Sequence, residues 1–383
     1  MGFHGGSNDQ NHNGSVTGHH RNRCLDYGYS SVAVKITLVF VVIGLSYLVL
    51  NQSSYPSQLF QSSDLCSSSS NLSDSEKWSS SSHHNSLILS MIHDQTNEEI
   101  NKLESTLKEA AMEDGKTVII TTLNAAWTKP NSIFDFFLES FRIGNQTLHL
   151  LDHVVVAALD DTAYARCMAV KLHCFALTTA GVNFTGEARF MTKDYLKMMW
   201  RRIDFLRVVL QLGFNFVFSD ADVMWLRDPF PKFYPNADFQ IACDHYYDKL
   251  NSTDMGHSPN GGFNYVKSNN KTIKFYKFWY KGNDYFPGRH DQHVLNMIKM
   301  DPYVKDLQME MRFLNTAYFS GFCEPKKDLD QVITMHANCC IGLDNKIHDI
   351  KVVIDDWKRY MQLATTGERN SSTISWTVPR RCY

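Results

Sequence analysis

The run FNFVFSDADVMWLRDPF (residues 214–230) joins an apolar stretch to two closely spaced carboxylates. Its first part, residues 214–219, is largely apolar, as expected of a strand that is buried on both faces. Asp220 and Asp222 follow where that strand ends. In open α/β sheets, ligands bind at the carboxyl ends of the strands. The run therefore predicts both a central strand and a ligand site at its end.

Apolar runs and helical patterns alternate on both sides of this strand. Before it, the patterns predict strands at 117–123, 153–159 and 173–178, and helices at 97–113, 132–143, 161–170 and 192–212. After it, they predict strands at 239–243, 262–267 and 331–335, and helices at 270–281, 291–300 and 344–362. Such alternation is typical of a mixed, mainly parallel sheet flanked by helices, so we predict an α/β fold.

The composition excludes several classes of protein. The 38 Lys and Arg residues nearly balance the 40 Asp and Glu residues, so the chain has no basic field for a nucleic acid. Hydrophobic residues make up 43% of the chain, which excludes both a wholly disordered protein and a polytopic membrane protein.

The N-terminal part differs from the rest. Residues 1–31 are polar and rich in Gly, Asn and His, which indicates a disordered tail. Residues 32–50 carry a single charge and would span about 28 Å as a helix. Because Arg21 and Arg23 precede this segment and the next basic residue after it is Lys77, the positive-inside rule places the tail in the cytosol. We predict the transmembrane signal-anchor of a single-pass type II protein, with a cleaved signal peptide as the alternative.

A Ser-rich segment follows the predicted span. It covers residues 51–95, with 17 Ser among the 40 residues from 51 to 90, and is predicted to be a flexible stem. The remaining boundaries that we predict are a neck helix at 96–114, a folded domain at 115–365 and a C-terminal tail at 366–383. Sequons beyond the span are candidates for N-glycosylation, namely Asn71, Asn145, Asn183, Asn251, Asn270 and Asn370.

Most of the cysteines lie in the C-terminal region. An oxidising compartment would allow disulfides among them. The C-terminal region contains seven cysteines, an odd number, so at least one of them would stay free or pair between chains. Their connectivity does not follow from the sequence. The seven are Cys167, Cys174, Cys243, Cys323, Cys339, Cys340 and Cys382.

The spacing of Asp220 and Asp222 suits a metal site. Residues i and i+2 of an extended chain point the same way, so two carboxylates can converge on one Mg²⁺ or Mn²⁺ that also binds a diphosphate. Helix capping or a structural ion pair is the alternative. A second pair with this spacing, Asp328 and Asp330, lies in a polar stretch, where we predict a solvated loop.

His336 follows another apolar run and precedes a pair of cysteines. Its imidazole could complete the metal shell and shift the preference towards Mn²⁺, or it could be a hydrogen-bonded histidine at a strand end. A zinc site that combines His336 with Cys323, Cys339 and Cys340 is a further alternative, although the spacing is unlike that of common zinc motifs.

Further polar residues are candidates for ligand binding. Glycines before a strand allow a ligand to approach the backbone closely, polar groups at a helix start can hold sugar hydroxyls, and a lysine can reach a diphosphate. A plain turn, an N-cap and a surface lysine are the respective structural alternatives. The candidates are Thr121, Thr122 and Asn124 at the end of the first strand, Asn260, Gly261 and Gly262 before a later one, Asp291 and Gln292 at a helix start, and Lys346.

Several segments together resemble a plant family of nucleotide-diphospho-sugar transferases. These are glycosyltransferase family 77-like proteins, which include cell-wall arabinosyl- and xylosyltransferases. The match is collinear over roughly residues 115–365 and is carried by YLKMMWRRIDFL, FSDADVMWLRDPFP, FQIACDH, NGGFNYVKSN, HDQHVLN, MRFLNT and MHANCC.

The resemblance implies a GT-A (Rossmann-like) fold and a Golgi type II enzyme. It also implies a nucleotide-sugar donor, usually UDP-linked, a glycan or glycoprotein acceptor, retention at the transferred sugar and dependence on Mn²⁺ or Mg²⁺. By position, Asp220 and Asp222 match the family's D-x-D metal motif, and His336 matches the third metal ligand. Asp291 joins both aspartates in the predicted catalytic set. Positions that line the sugar are matched by Asn260, Gly261, Gly262, Asp291 and Gln292, and the uridine side is matched by Thr121, Thr122 and Asn124.

Two functions from different classes follow. The first is an active glycosyltransferase of plant cell-wall biosynthesis. The second is a non-catalytic lumenal partner that keeps the fold and assists another transferase. The intact set of Asp220, Asp222 and His336 favours the enzyme, and the predicted span disfavours a soluble nucleotide-sugar pyrophosphorylase.

Overall fold

The computed structural model describes residues 97–179, 181–325, 328–366 and 375–382. The predicted cytosolic tail, span and stem, together with the sequons at Asn71 and Asn370, lie outside these residues. No helix in this part of the chain combines the length and the apolar character that crossing a membrane requires.

Helices and strands alternate through the described residues. The helices are α1 (97–110), α2 (Ile133–Ile143), α3 (Asp161–Ala169), α4 (Lys193–Gln211), α5 (Asn270–Tyr285), α6 (Asp291–Ile298), α7 (Pro302–Asp306) and α8 (Leu343–Thr366). The strands are β1 (Thr117–Leu123), β2 (Val154–Ala158), β3 (His173–Ala176), β4 (Asn215–Ser219), β5 (Val223–Trp225), β6 (Phe239–His245), β7 (Ser258–Val266), β8 (Met311–Phe313), β9 (Phe319–Gly321) and β10 (Thr334–His336).

The strands that the structure describes form two sheets. The larger sheet has the order β3-β2-β1-β4-β7-β6-β8. Strands β3, β2, β1 and β4 run parallel, β7 runs antiparallel to both of its neighbours, and β8 runs parallel to β6. A smaller sheet has the order β5-β10-β9. The predicted mixed, mainly parallel α/β fold is confirmed.

Helices cover both faces of the larger sheet. Alternate side chains of a strand point to opposite faces, and β1 shows this directly. Ile119 belongs to an apolar core with residues of α2, α3 and α8, whereas Val118 and Ile120 belong to a second core with residues of α1, α4, α5 and α6. Strand β4 lies at the centre, and its Phe216, Val217 and Phe218 are fully buried, as its continuous apolar run predicts.

Local signals in the sequence explain where the long central helix begins and ends. The hydroxyl of Thr192 accepts a hydrogen bond from the backbone N–H of Tyr195 and so caps α4, as predicted. Gly213 follows the helix with φ +91°, a conformation that favours glycine. These two ends place Arg202 in the middle of α4, beneath the carboxyl end of β4.

Candidate active site

The loop between β4 and β5 holds the two aspartates and joins the two sheets. The backbone N–H of Asp220 donates to the carbonyl of Gly262 at 2.7 Å. On the other side of the loop, Val223 pairs with His336 across β5 and β10, and the N–H of Ala337 donates to the carbonyl of Asp222 at 3.0 Å. Backbone pairing therefore brings together residues that are more than one hundred positions apart in the sequence.

The side chains of Asp220, Asp222 and His336 converge. Each offers one potential ligand atom, and these atoms lie within 4.8 Å of one another. Asp222 is 1% exposed, and its Oδ1 accepts no hydrogen bond from the described residues, although Nε2 of His336 lies 3.2 Å away. A buried carboxylate oxygen without a partner is costly, and a bound cation would supply one. Two carboxylates and an imidazole also form a donor set that suits a divalent metal.

The absence of a side chain at Gly262 leaves space for the side chains of Asp220 and His336 to approach each other. A Cβ atom at position 262 would lie 2.5 Å from Cε1 of His336 and 2.7 Å from Oδ2 of Asp220. Such contacts are far inside van der Waals distance, so only glycine fits here without displacement of a candidate metal ligand. The neighbouring Gly261 is less restricted, since the nearest atoms to its added Cβ would be 3.6 Å away.

A buried arginine supports the acidic pair from below. Arg202 is 4% exposed, and its guanidinium donates to Asp220 at 2.8 Å and to Asp291 at 2.5 Å. It also lies over the ring of Phe218, with Cζ 4.9 Å from the centroid. Asp291, which the sequence predicts to be catalytic, is 1% exposed. It is linked to Asp220 because both carboxylates bind the guanidinium of Arg202.

The two aspartates of the motif have different electrostatic environments. Burial and the nearby charge of Asp222 raise the pKa of Asp220 above its ordinary value, although Arg202 opposes this. Burial acts in the same direction on Asp222, but Lys346 and His336 outweigh it and lower the pKa of Asp222. Asp222 is therefore the carboxylate that is held ionised.

Lys346 reaches the site from the first turns of α8. Its ammonium donates to Oδ2 of Asp222 and lies 5.6 Å from the centroid of the Trp127 ring, which follows β1. The structure thus places Lys346 beside the candidate metal ligands and not on an open helix surface. Its predicted contact to a diphosphate stays a prediction.

A polar network centred on Asp244 flanks the metal cluster. Its Oδ1 accepts hydrogen bonds from Asn260 and Asn338 at 2.7 and 2.8 Å, and its Oδ2 accepts one from Gln292 at 2.7 Å. Gln292 in turn accepts from the backbone N–H of Gly261 at 3.0 Å. The predicted residues Asn260, Gly261 and Gln292 are therefore brought together by one carboxylate.

Sequence reasoning did not single out Asp244, and for Arg202 it considered only an effect on a diphosphate contact, not the buried pairing with Asp220 and Asp291. Arg202 lies on the apolar face of α4, between the buried residues Met199 and Phe205, and a cation on such a face signals a buried partner. Asp244 immediately follows the apolar run of the predicted strand 239–243, which is the same strand-end signal that identified Asp220.

The candidates at the end of β1 make contacts of another kind. Nδ2 of Asn124 donates to the carbonyls of Phe184 and Gly186 at 2.9 and 3.0 Å, so this side chain holds the 184–186 segment in place. Oγ1 of Thr121 is buried without a hydrogen-bond partner in the described residues, and Thr122 is partly buried. No hydrogen bond found in the described part of the chain joins these side chains to the metal cluster.

The cysteines form disulfides and do not support the zinc alternative. The pairs are Cys167–Cys174, Cys323–Cys339 and Cys340–Cys382, and Cys243 is buried and unpaired. Asp244 also lies near Cys323 and Cys339, but disulfide sulfurs are not the thiolate ligands that zinc requires. Among the sequons in the described residues, the four asparagines are all exposed, namely Asn145, Asn183, Asn251 and Asn270.

Comparison with known proteins identifies the family. The model of the nucleotide-diphospho-sugar transferase family matches residues 149–350. The chain belongs to this family. That stretch contains the metal cluster, the Asp244 network and Lys346, so the transferase domain and the candidate site coincide. The chain is accordingly a glycosyltransferase.

Three relatives of this transferase illustrate the range of similarity. The uncharacterized Arabidopsis thaliana protein At4g15970 is 50% identical over 286 residues, 74% of each chain. The Arabidopsis beta-arabinofuranosyltransferase RAY1 is 28% identical over 31% of this chain and 22% of its own. A UDP-galactose:fucoside alpha-3-galactosyltransferase of Dictyostelium discoideum is 38% identical over 18% of this chain and 10% of its own.

Proposed function

We propose that this transferase uses a divalent metal to move a sugar from a UDP-linked donor to a glycan or glycoprotein acceptor. The observation that carries the proposal is the buried Oδ1 of Asp222, which accepts no hydrogen bond within the described residues and lies beside Asp220 and His336. These residues fit Mn²⁺, with Mg²⁺ as the second choice because an imidazole is among the ligands. When bound, the metal would neutralise charge on the departing diphosphate.

The residues around the metal cluster have separate roles in binding the diphosphate, positioning the aspartates and orienting the sugar. Lys346 adds a second positive charge beside Asp222, where it can bind a diphosphate oxygen. Arg202 is too deeply buried to bind the donor and instead fixes the positions of Asp220 and Asp291. The Asp244 network offers carboxylate and amide groups that are already held in place, and such groups can orient sugar hydroxyls.

The transfer requires no dedicated base from the protein. The bond between the anomeric carbon and the diphosphate oxygen breaks, and a bond to the acceptor oxygen forms on the same face of the sugar. The proton of the acceptor hydroxyl passes to the departing phosphate oxygen. This sequence of events retains the anomeric configuration.

The cellular setting is part of the proposal. The name of the Dictyostelium match, which includes UDP-galactose, supports a UDP-sugar donor. The resemblance to glycosyltransferase family 77 supports a role in the plant cell wall and a GT-A fold. The apolar segment 32–50 supports a type II anchor in the Golgi membrane, with the domain in the lumen. The three disulfides and the exposed sequons are consistent with that oxidising compartment.

A panel of UDP-sugars tests the proposal. The full-length chain, purified in detergent, is incubated with each donor and Mn²⁺, and released UDP is measured with and without EDTA. We expect release from at least one donor, loss with EDTA and recovery when Mn²⁺ is restored. Release from none of the donors, or release that EDTA does not affect, would contradict the proposal.

A further inference from the structure

Residues 375–382, here called the strap, pack against α8. Trp376 and Val378 are each 7% exposed, and Cys382 is 3% exposed. All three belong to the same apolar core as Ile350 and Val353 of the helix. The strap is therefore a packed part of the domain, although its sequence predicts a tail.

Asp349 makes the first polar attachment between helix and strap. Its Oδ2 accepts the backbone N–H groups of Arg380, Arg381 and Cys382 at 2.8, 2.9 and 2.9 Å. Its Oδ1 lies 2.7 Å from Nδ1 of His348. Burial alone would raise the pKa of Asp349, but these hydrogen bonds outweigh it and lower that pKa. A buried, ionised carboxylate thus holds three consecutive amides of the strap.

Two further attachments fix the strap on either side of Asp349. Seven residues further along α8, Oδ2 of Asp356 accepts the N–H of Thr377 at 2.7 Å and its hydroxyl at 2.9 Å. Residues seven apart lie on one helix face, so both aspartates point towards the strap. The Cys340–Cys382 disulfide then ties the strap to the loop between β10 and α8.

Lys346 lies between these attachments. It precedes Asp349 by three residues, or about one helical turn, and Cys340 lies six residues before it. A shift of α8 by one residue would move the lysine by about 1.5 Å along the helix axis. Errors of about 1 Å in the placement of a binding group are enough to impair catalysis.

We propose that the strap is a positioning element for Lys346. It holds α8 through Asp349, Asp356 and the Cys340–Cys382 disulfide, so that the ammonium of Lys346 meets the donor diphosphate beside Asp222. This inference rests on the proposed function. Asp349 is a positioning residue because it acts through the helix, and reduction of the disulfide would weaken donor binding.

The test measures the affinity of the full-length chain for UDP in the presence of Mn²⁺ by isothermal titration calorimetry. We expect Cys340→Ser with Cys382→Ser to weaken UDP binding about tenfold, as for other groups that orient a ligand-binding residue. Asp349→Ala removes a different attachment of the same strap and leaves the disulfide intact, so it replaces the double variant if that variant does not fold. The matched control is Cys167→Ser with Cys174→Ser, which removes a disulfide at the β3 edge of the sheet and should leave the affinity unchanged.

A double-mutant cycle with Lys346→Ala shows whether the strap acts through the lysine. In that background we expect removal of the Cys340–Cys382 disulfide to cause no further loss, since coupled residues are not additive. Equal losses in both backgrounds, or an equal loss in the control, would overturn the inference.

Two outcomes separate the failure of this inference from the failure of the proposed function. A wild-type chain that binds no UDP with Mn²⁺ overturns the proposed function, and the role of the strap with it. A wild-type chain that binds UDP no better than the variant without the Cys340–Cys382 disulfide overturns the strap alone.

Discussion

Two acidic pairs in this chain have identical spacing and different surroundings. Asp220 and Asp222 end a buried strand and lie beside a histidine, a lysine and a buried arginine. Asp328 and Asp330 are exposed, as the predicted loop requires. Asp328 accepts hydrogen bonds from Gln331 and from the backbone of Asp330, and Asp330 accepts one from the Tyr360 hydroxyl.

The difference shows what gives the motif its chemistry. Two carboxylates in water interact weakly with a cation, because the solvent already satisfies their oxygens. At the end of β4, Oδ1 of Asp222 is buried and accepts no hydrogen bond from the described residues, and His336 lies beside it as a third potential ligand. The end of β4 and the pairing of β5 with β10 bring Asp222 and His336 together in a buried position. The spacing of two aspartates alone does not do so.

We expect the largest loss of transfer from a substitution in the first pair, Asp220 and Asp222. Asp222→Asn should reduce transfer by about 10³-fold, because several kcal/mol of charge stabilisation depend on the metal and each 1.4 kcal/mol is a factor of ten. The rate of UDP release in the presence of Mn²⁺ measures this reduction in transfer. Unchanged release would remove Asp222 from the site.

Gly262→Ala should have the next largest effect. The added Cβ would lie 2.5 Å from His336 and 2.7 Å from Asp220, so a candidate ligand must move. We expect a loss of about 10²-fold in transfer, as for a misplaced reacting group. Gly261→Ala is the matched control, with its nearest contact at 3.6 Å, and should cost much less. Equal losses would show that the space beside His336 has no special role.

Arg202→Met tests the support beneath the first pair. Removal of one partner from a buried ion pair costs about 3–5 kcal/mol, since the carboxylates of Asp220 and Asp291 lose their cation. The free energy of unfolding, from denaturant titration, measures this. The control is Arg166→Met, whose pair with Asp135 is about one-third exposed and should contribute less than about 1 kcal/mol. Similar costs for both variants would show that the buried pairing of Arg202 contributes no more to stability than a partly exposed ion pair.

Asp291→Asn should show a pH dependence of stability. Burial raises the pKa of Asp291, but Arg202 and His290 outweigh this and lower it below its ordinary value. A depressed pKa stabilises the fold above the unfolded-state value, and this contribution is lost as the pH falls through the folded-state value. The stability difference from wild type should therefore be largest near neutral pH and shrink below about pH 4. A difference that stays constant down to pH 3 would be inconsistent with an ionised Asp291.

The smallest expected effect belongs to the second pair. Asp328→Asn combined with Asp330→Asn should leave UDP release within about twofold of wild type, and stability should change by no more than about 1 kcal/mol. Loss of metal dependence in this variant would reverse the assignment of the two pairs.

Long apolar runs and strand ends could be predicted from the sequence, because they depend on nearby residues. Strand β1 and helix α4 lie within one residue of their expected bounds, and Asp220 follows its strand as expected. The strands β5, β8 and β9 have three residues each, too few to show a period, and were not predicted. The role of Asp244 as the common acceptor of a hydrogen-bond network was not predicted either. Its donors lie 16 to 94 positions away in the sequence, so no local pattern reveals them.

Binding of Mn²⁺ in the presence of UDP is the most direct test of whether Asp220, Asp222 and His336 hold a metal ion, and electron paramagnetic resonance measures this binding without any need for turnover. The wild-type chain and the variant with both Asp328 and Asp330 changed to Asn should bind Mn²⁺ equally well, and Asp222→Asn should bind it at least tenfold more weakly. A metal site at Asp222 would be ruled out if Asp222→Asn bound Mn²⁺ as the wild type does, or if the loss appeared in the variant with Asp328 and Asp330 changed.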